Sequence, residues 1–354
     1  MTKSRAIGLD IGSTYVRAAE IKYDTKRGTT VEPEVLRFAQ VGLPVGAVRD
    51  GEVVEPGAVA TAIKQLWREN KFSTKEVVIG VGNQRVLVRD LDLPSMPMAQ
   101  LRASLPYQVK EFLPVAVEDA LLDYLPTGTY EGQHGTVVEG LLVAATKDTV
   151  LANTAAVEEA GLNPVMVDIN AFALTRSVAR GPWASRTVAV VDLGARITDV
   201  VVVDRGAPRF VRTLPTGGHD ITEAIASSMQ ISETDAETVK RSVGIGMPVP
   251  PEYRQAAEAV AQIGHVLVEA VRNTLSFYSM KNPAGGVDTV LLTGGGAGLP
   301  GLGQYLSTAA RVGVSLADPL GSMKGGAALR STDPSGAAHQ SVAVSVGLAM
   351  GAVA

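Results

Sequence analysis

Gly8-Leu9-Asp10-Ile11-Gly12-Ser13-Thr14-Tyr15 and, far along the chain, Val191-Asp192-Leu193-Gly194-Ala195-Arg196-Ile197-Thr198 follow the same local pattern. In both, an apolar run ends in Asp-x-Gly and an alternating apolar run follows. A polar, glycine-bearing turn between two such runs is a strand–turn–strand signal. The first hairpin is expected over residues 6–21 and the second over 187–203. A single Asp-x-Gly is a common turn and carries little weight. Two of them in matched contexts, near the starts of the two halves, imply a duplicated α/β unit with a cleft between the copies.

Around these hairpins the first half reads as a helix over 56–69, with Val59, Ile63, Leu66 and Trp67 at helical spacing, and a buried-type strand over 76–81. Residues 83–160 have a texture of their own. A strand at 86–91 precedes Leu101, Leu105, Val109 and Phe112, which mark one helix face; Pro106 should kink or break that helix. A turn-rich loop is expected over 124–135, a strand over 137–145, and a helix over 149–160 closed by Gly161. The block reads as a small α/β unit set inside a larger domain. In the second half, a third strand at 210–214 leads to Gly217-Gly218. Asp220 with Glu223 then reads as a capping box opening a helix. Helices over 232–243 and 256–279 follow. A strand over 287–292 runs into Thr293-Gly294-Gly295-Gly296-Ala297-Gly298, with a further strand over 312–317. A loop-rich stretch over 321–340 and a small-residue helix over 341–353 close the chain. The expected division is a first lobe of residues 1–184 and 336–354, with the insert at about 83–160, and a second lobe of 185–335.

Composition narrows the chemistry. The 354 residues are 46% hydrophobic and 19% charged, as in an ordinary folded protein, and at roughly 100–200 residues per domain suggest two domains. There is no cysteine, which excludes disulfides, thiol catalysis and Cys-ligated metals. The four histidines (His134, His219, His265, His339) form no local metal pair. A net charge of −4 argues against a nucleic-acid partner. No targeting segment is visible, and the apolar tail from Ser341 falls short of the ~20 residues that span a bilayer.

A tight glycine turn lets backbone N–H groups approach phosphate oxygens, and the hydroxyls of Ser13, Thr14 and Thr198 can add donors. Asp10 and Asp192, at strand ends facing one cleft, suit Mg²⁺, which keeps most of its waters and takes few protein ligands. The glycines at 294–296 leave room for a flat ring or a ribose. Gly296-x-Gly298-x-x-Gly301 with Asp318 also spells a dinucleotide fingerprint, although too little chain follows it for the second half of that fold. Glu237, Lys240 and Arg241 share a helix face. They are either a solvated charged surface or the holders of a ribose and adenine. Asp168 and Asn170 are candidates to orient an attacking water. No G-x-S-x-G elbow or H-E-x-x-H is present.

In order, Gly8-Leu9-Asp10-Ile11-Gly12-Ser13, Val191-Asp192-Leu193-Gly194 with Thr198, and Leu292-Thr293-Gly294-Gly295-Gly296 resemble the two phosphate motifs and the adenosine motif of the actin-like ATPase superfamily. Within it, several stretches resemble the PilM family of type IV pilus assembly proteins, relatives of FtsA. They are Leu93-Pro94 through Phe112-Leu113-Pro114, Thr216-Gly217-Gly218-x-x-Ile221-Thr222, Ala236-Glu237-x-x-Lys240 and Val346-Gly347-Leu348-Ala349. The resemblance implies an α/β, two-lobed actin-like fold of duplicated ribonuclease-H-like units carrying an FtsA/PilM-type inserted subdomain. It implies ATP and Mg²⁺ as cofactors, with Asp10 and Asp192 on the metal, Asn170 near the reacting water, and at most slow hydrolysis. Gly12, Ser13, Thr14, Tyr15, Arg17, Gly194, Ala195, Arg196, Thr198, Gly217, Gly218, Glu237, Lys240, Arg241, Gly294, Gly295 and Gly296 would surround the nucleotide. Arg17 stands where a lysine is frequent, and Arg196, where a small residue is common, would either contact phosphate or obstruct the loop.

As partner the resemblance implies the cytoplasmic N-terminal peptide of a PilN-like inner-membrane protein, docked at the insert, together with other pilus assembly components and self-association. The protein would then sit in the cytoplasm, at the inner face of the membrane through its partner. Unlike the basic amphipathic helix that ends FtsA-like proteins, no Lys or Arg follows Arg330, so the last helix should pack in the core rather than enter a membrane. An FtsA-like filament of cell division, and a sugar or acid kinase of the same superfamily, stand as alternatives.

Overall fold

In a computed structural model, residues 3–26, 29–30, 33–283, 285–321, 323–325 and 337–352 are described. The expected lobe boundary at 335/336 and much of the loop at 321–340 lie outside them.

Strands β1 (Lys3–Ile11), β2 (Tyr15–Lys26) and β3 (Glu34–Gly42) form an antiparallel meander. Helix α1 (Pro56–Asn70) leads to β4 (Glu76–Val81), parallel to β1. An inserted unit follows: β5 (Val86–Asp90), α2 (Met98–Gln108), β6 (Ala120–Gly132) and β7 (Gly135–Thr146). Helix α3 (Lys147–Glu159) then returns the chain to β8 (Asn163–Ile169), parallel to β4, and α4 (Asn170–Val178) ends this half.

The second half repeats the plan. Strands β9 (Thr187–Leu193), β10 (Thr198–Asp204) and β11 (Ala207–Leu214) form a meander, followed by α5 (Gly218–Met229), α6 (Glu233–Val243) and α7 (Arg254–Lys281). Then β12 (Thr289–Thr293), α8 (Leu302–Ala310) and β13 (Gly313–Leu316) complete the sheet. The sheet orders are β8-β4-β1-β2-β3 and β13-β12-β9-β10-β11, the same arrangement twice.

This duplication shows where the insert ends. The crossover β4–α3–β8 is the counterpart of β12–α8–β13, and Ala156 and Val157 of α3 lie in one buried cluster with Ile63 and Leu66 of α1. The helix expected to belong to the inserted unit therefore packs as part of the first lobe's own repeat, and the insert's sheet closes at Thr146.

Three other expectations are corrected. Residues 124–135 are not a loop: β6 is an edge strand paired with β7, and its Pro126 and Gly128 fall at a register shift, where a missing N–H costs no ladder bond. Pro106 does not interrupt α2 but lies two residues before its end; Leu101, Leu105 and Val109 are buried as expected, while Phe112 is exposed. Helix α5 starts one turn earlier than the Asp220–Glu223 pattern suggests. The Gly217 N–H donates to the Asp220 carboxylate (2.8 Å), which frees Glu223 for another partner.

The closing helix α9 (Ala343–Gly351) is buried against β1 and α4. The packing leaves no room for a side chain at Gly347 of this helix, where a Cβ would stand 1.9 Å from the Ala173 carbonyl oxygen of α4, nor at Gly8 of β1, where it would stand 2.0 Å from the Ser345 carbonyl oxygen. Among the described residues, no helix is long and apolar enough to cross a membrane.

Candidate functional site

The two turns are built alike. The Gly12 N–H donates to the Tyr15 carbonyl (3.0 Å) and the Gly194 N–H to the Ile197 carbonyl (2.9 Å). Each turn ends a strand whose last acidic residue faces a cross-strand partner: Asp10 opposite Arg17, and Asp192 opposite Asp199. Both turns open on one cleft of about 890 Å³. Asp10, Gly12, Ser13, Thr14, Tyr15 and Arg17 line one side, and Asp192, Gly194, Ala195, Arg196 and Ile197 the other.

Asp199, which the sequence analysis did not single out, lies on the cleft floor with Asp10 and Asp192. Three carboxyl groups thus share the floor with one guanidinium, that of Arg17, 3.6 Å from Asp10. Burial raises the Asp10 carboxyl and Arg17 opposes it. Burial, reinforced by Asp199 and then Asp10, pushes Asp192 up to about 8. Burial also lifts Asp199 to about 6, although the Thr213 hydroxyl donates to it (2.6 Å) and stabilises its anion. Fully ionised, the group carries two negative charges more than Arg17 can match. A hard divalent cation with oxygen ligands would remove the mismatch, so these residues fit Mg²⁺.

On the opposite wall the Lys240 ammonium donates to the Gly218 carbonyl and the Thr222 hydroxyl, both at 2.9 Å, and pairs with Glu237. The Glu237 carboxylate also accepts from Thr222 (2.7 Å) and Arg241 (3.0 Å). Burial acts against its charge, but Lys240, Thr222 and Arg241 together hold it below the usual carboxylate range. Gly294, at φ +88°, turns the glycine loop back. Its N–H donates to the Gln340 carbonyl (3.0 Å), and the Gly296 N–H donates to the Leu193 carbonyl (2.8 Å). A Cβ on Gly295 would meet nothing within 4 Å, so the loop presents bare backbone to the cleft.

Most of the expected site residues therefore converge, with four exceptions or refinements. The Thr198 side chain is buried, and its hydroxyl donates to the Thr216 carbonyl (2.8 Å), away from the cleft. Gly217 lies beneath the second turn, where a Cβ would stand 2.4 Å from the Ala195 carbonyl oxygen. Arg196 does not obstruct its turn; its guanidinium binds Asp220 (2.9 Å) and Glu223 (2.7 Å), fastening the turn to α5. Of the two water-orienting candidates, Asp168 is committed to Arg176, while Asn170 lines the cleft with its buried Oδ1 lacking a partner. Gly80 makes room for that amide, since a Cβ there would be 2.0 Å from Oδ1.

A second concavity, of about 280 Å³, lies on the insert between Gln84, Arg85 and Leu87 on one side and Leu113, Pro114 and Val115 on the other. Exposed Phe112, beneath the Arg89 guanidinium (5.2 Å), adjoins Leu113.

Two repeats of one meander-and-crossover unit, facing each other across a polar cleft with a glycine turn from each, define an actin-like protein. Residues 8–353 match the family model described as Type IV pilus assembly protein PilM, and the chain belongs to that family. A solved PilM–PilN type IV pilus biogenesis complex contains a chain similar to this one at 28% identity and a TM-score of 0.85, over 99% of this chain and 98% of that one. The cell division protein FtsA of Bacillus subtilis is 26% identical over 358 residues, 88% of this chain and 78% of its own. MreB5 of Spiroplasma citri, solved bound to ADP, shares the fold at a TM-score of 0.50 and 15% identity, over 94% of this chain and 97% of its own.

Proposed function

We propose that this PilM-family protein binds Mg²⁺–ATP between its lobes and docks a cytoplasmic peptide of a PilN-type inner-membrane protein on its insert, which would hold it at the inner face of the membrane. The observation that carries the nucleotide half is the charge pattern of the cleft floor. Asp10, Asp192 and Asp199 have too little counter-charge for an ATP tail to enter alone, and a divalent cation supplies it. Because the amides of Gly12 and Gly194 serve their own turns, the donors toward phosphate are the backbone and hydroxyl groups that follow, on Ser13, Thr14 and Ala195. Arg17 adds the cationic contact. Glu237 and Lys240 hold the ribose, Arg241 lies beside the base, and the backbone of 294–296 forms the floor under the adenosine. Mg²⁺ supplies charge neutralisation and phosphate orientation when bound, and the unpartnered Asn170 Oδ1 accepts from a water beside the terminal phosphate.

The partner half is supported by family membership, by the PilN that accompanies the similar PilM chain, and by the apolar groove at Leu87 and Leu113–Val115. Calorimetric titration tests both halves. Mg²⁺–ATP should bind the parent and fail to bind Asp10→Ala, and a peptide from the N-terminus of the PilN-type protein should bind both. A parent that shows no nucleotide affinity would refute the first half, and one that ignores the peptide would refute the second.

A further inference from the structure

We propose that His219, Glu223 and Glu233 form a cation site of the zinc type that clasps α5 to α6 at the wall of the cleft. This inference goes beyond the function proposed above and does not depend on it. His219 and Glu223, four residues apart, share one face of α5, and Glu233 opens α6 opposite them. The His219 Nε2 lies 3.7 Å from Glu223 Oε1 and 3.5 Å from Glu233 Oε2, and the three ligand atoms all lie within 4.8 Å of one another. Both distances exceed the usual N–H···O span of about 2.7–3.2 Å. They are close to the edge of a zinc tetrahedron, since bonds of about 2.0–2.2 Å set the ligand atoms about 3.3–3.6 Å apart. The three atoms are thus spaced to share an ion rather than to bond one another.

The surroundings hold them there. The His219 backbone N–H donates to the Ala195 carbonyl (2.8 Å), which anchors the residue to the second glycine turn. Arg196 donates to Glu223 Oε2 (2.7 Å) and also bonds Oε1. These bonds keep the Glu223 carboxyl below the usual carboxylate range, so it presents an oriented anion, as outer-shell partners do at metal centres. Ion pairs link Arg196, Asp220, Glu223, His219 and Glu233 into one group. With His219 neutral, three carboxylates there face one guanidinium, and a divalent cation balances the group. The imidazole is mostly buried while both carboxylates are half-exposed, which leaves an ion a way in from solvent.

The nitrogen ligand separates this site from the cleft floor. Carboxylates alone suit Mg²⁺. An imidazole with two carboxylates suits Zn²⁺, which accepts three protein ligands and keeps a position for water. His219 and Glu233 both line the cleft. A bound ion would therefore join α5, which brings Gly218 and Thr222 to the cleft, to α6, which brings Glu237 and Lys240.

The test is calorimetric titration of Zn²⁺ alone into the nucleotide-free protein, in excess Mg²⁺ to fill the floor, for the parent, His219→Gln, Glu233→Gln and Asp192→Asn. Glu233→Gln alters a half-exposed side chain that folding can spare, so it decides the matter if His219→Gln fails to fold. The parent should take up one Zn²⁺ per chain. Both ligand variants should bind it at least about tenfold more weakly, the loss that even an outer-shell change brings, and Asp192→Asn should bind it as the parent does. Co²⁺ in place of Zn²⁺ should give the parent the visible absorption of a tetrahedral ion, and the ligand variants should lack it. Zn²⁺ should also raise the parent's unfolding midpoint by mass action and leave that of Glu233→Gln nearly unmoved. A parent that takes up no stoichiometric Zn²⁺, a Glu233→Gln protein that keeps the parental affinity, or a loss confined to Asp192→Asn would overturn the site.

Discussion

Asp192→Asn gives the sharpest test of the cleft chemistry. Asp192 holds its proton up to about pH 8 because it is buried beside Asp199 and Asp10. A divalent cation placed there must displace that proton, so cation binding below pH 8 carries the release of one proton. Linkage then makes the apparent affinity rise about tenfold per pH unit, or roughly a hundredfold between pH 6 and 8, and level off above. Asparagine cannot titrate. The variant should lose this slope, keeping only the weaker dependence set by Asp199 below about pH 6, and at pH 8.5 should bind Mg²⁺–nucleotide more weakly than the parent.

The metal-free protein should show the mirror image. Asp192 is raised on folding, so its contribution to stability is present below its unfolded value near 4 and is lost as pH rises toward 8. The gradient is at most about 1.4 kcal/mol per pH unit for one such group. The parent should therefore melt progressively lower across this range, and Asp192→Asn should melt higher than the parent at pH 8. Calorimetric titration with Mg²⁺–ADP from pH 6 to 8.5, in two buffers of different ionisation enthalpy, counts the protons. A parent with no proton release, or a variant that keeps the parental slope, would refute the reasoning.

Other expectations follow from the packing and the groove. Arg196→Ala unfastens the second turn from Asp220 and Glu223; a loss of about 1–3 kcal/mol, read in denaturant unfolding, is expected from removing partly buried charged bonds, together with weaker nucleotide binding. Gly8→Val forces a side chain into the Ser345 backbone and should cost more than about 3 kcal/mol, visible as insoluble protein or a strongly lowered unfolding midpoint. Leu87→Arg should abolish peptide binding while leaving the Kd for Mg²⁺–ATP without peptide unchanged; retention of the peptide would move the docking site elsewhere.

Much of this architecture was legible in the chain because each glycine turn follows an apolar run and precedes an alternating one, a pattern that gives the hairpins over 6–21 and 187–203. The insert's edge strand was not legible: Pro126, Gly128 and Gly132 look like loop residues until a register shift opposite β7 is allowed for. Asp199 was hidden in the run Thr198-Asp199-Val200-Val201, which reads as buried strand. The signal that would have exposed it was the duplication itself, since Asp199 lies seven residues past Asp192 as Arg17 lies seven past Asp10. Arg196 could not be resolved from sequence, because its partners Asp220 and Glu223 arrive only after β10 and β11 have brought α5 beneath the turn. The same holds for Glu223, which looks like a capping residue until Gly217 and Asp220 are seen to cap α5 themselves. Asn170 and Asp168 were equivalent on paper, and Arg176, in the last turn of α4, decides between them.

The central claim is that Asp10 and Asp192 meet across one cleft around a metal-bound triphosphate. A crystal grown with Mn²⁺ and a non-hydrolysable ATP analogue, measured at the manganese absorption edge, tests it most directly. One anomalous peak should lie between the two carboxyl groups, beside phosphate density held by the turns at 12–14 and 194–195. Manganese bound only elsewhere, or nucleotide density away from those turns, would contradict the account.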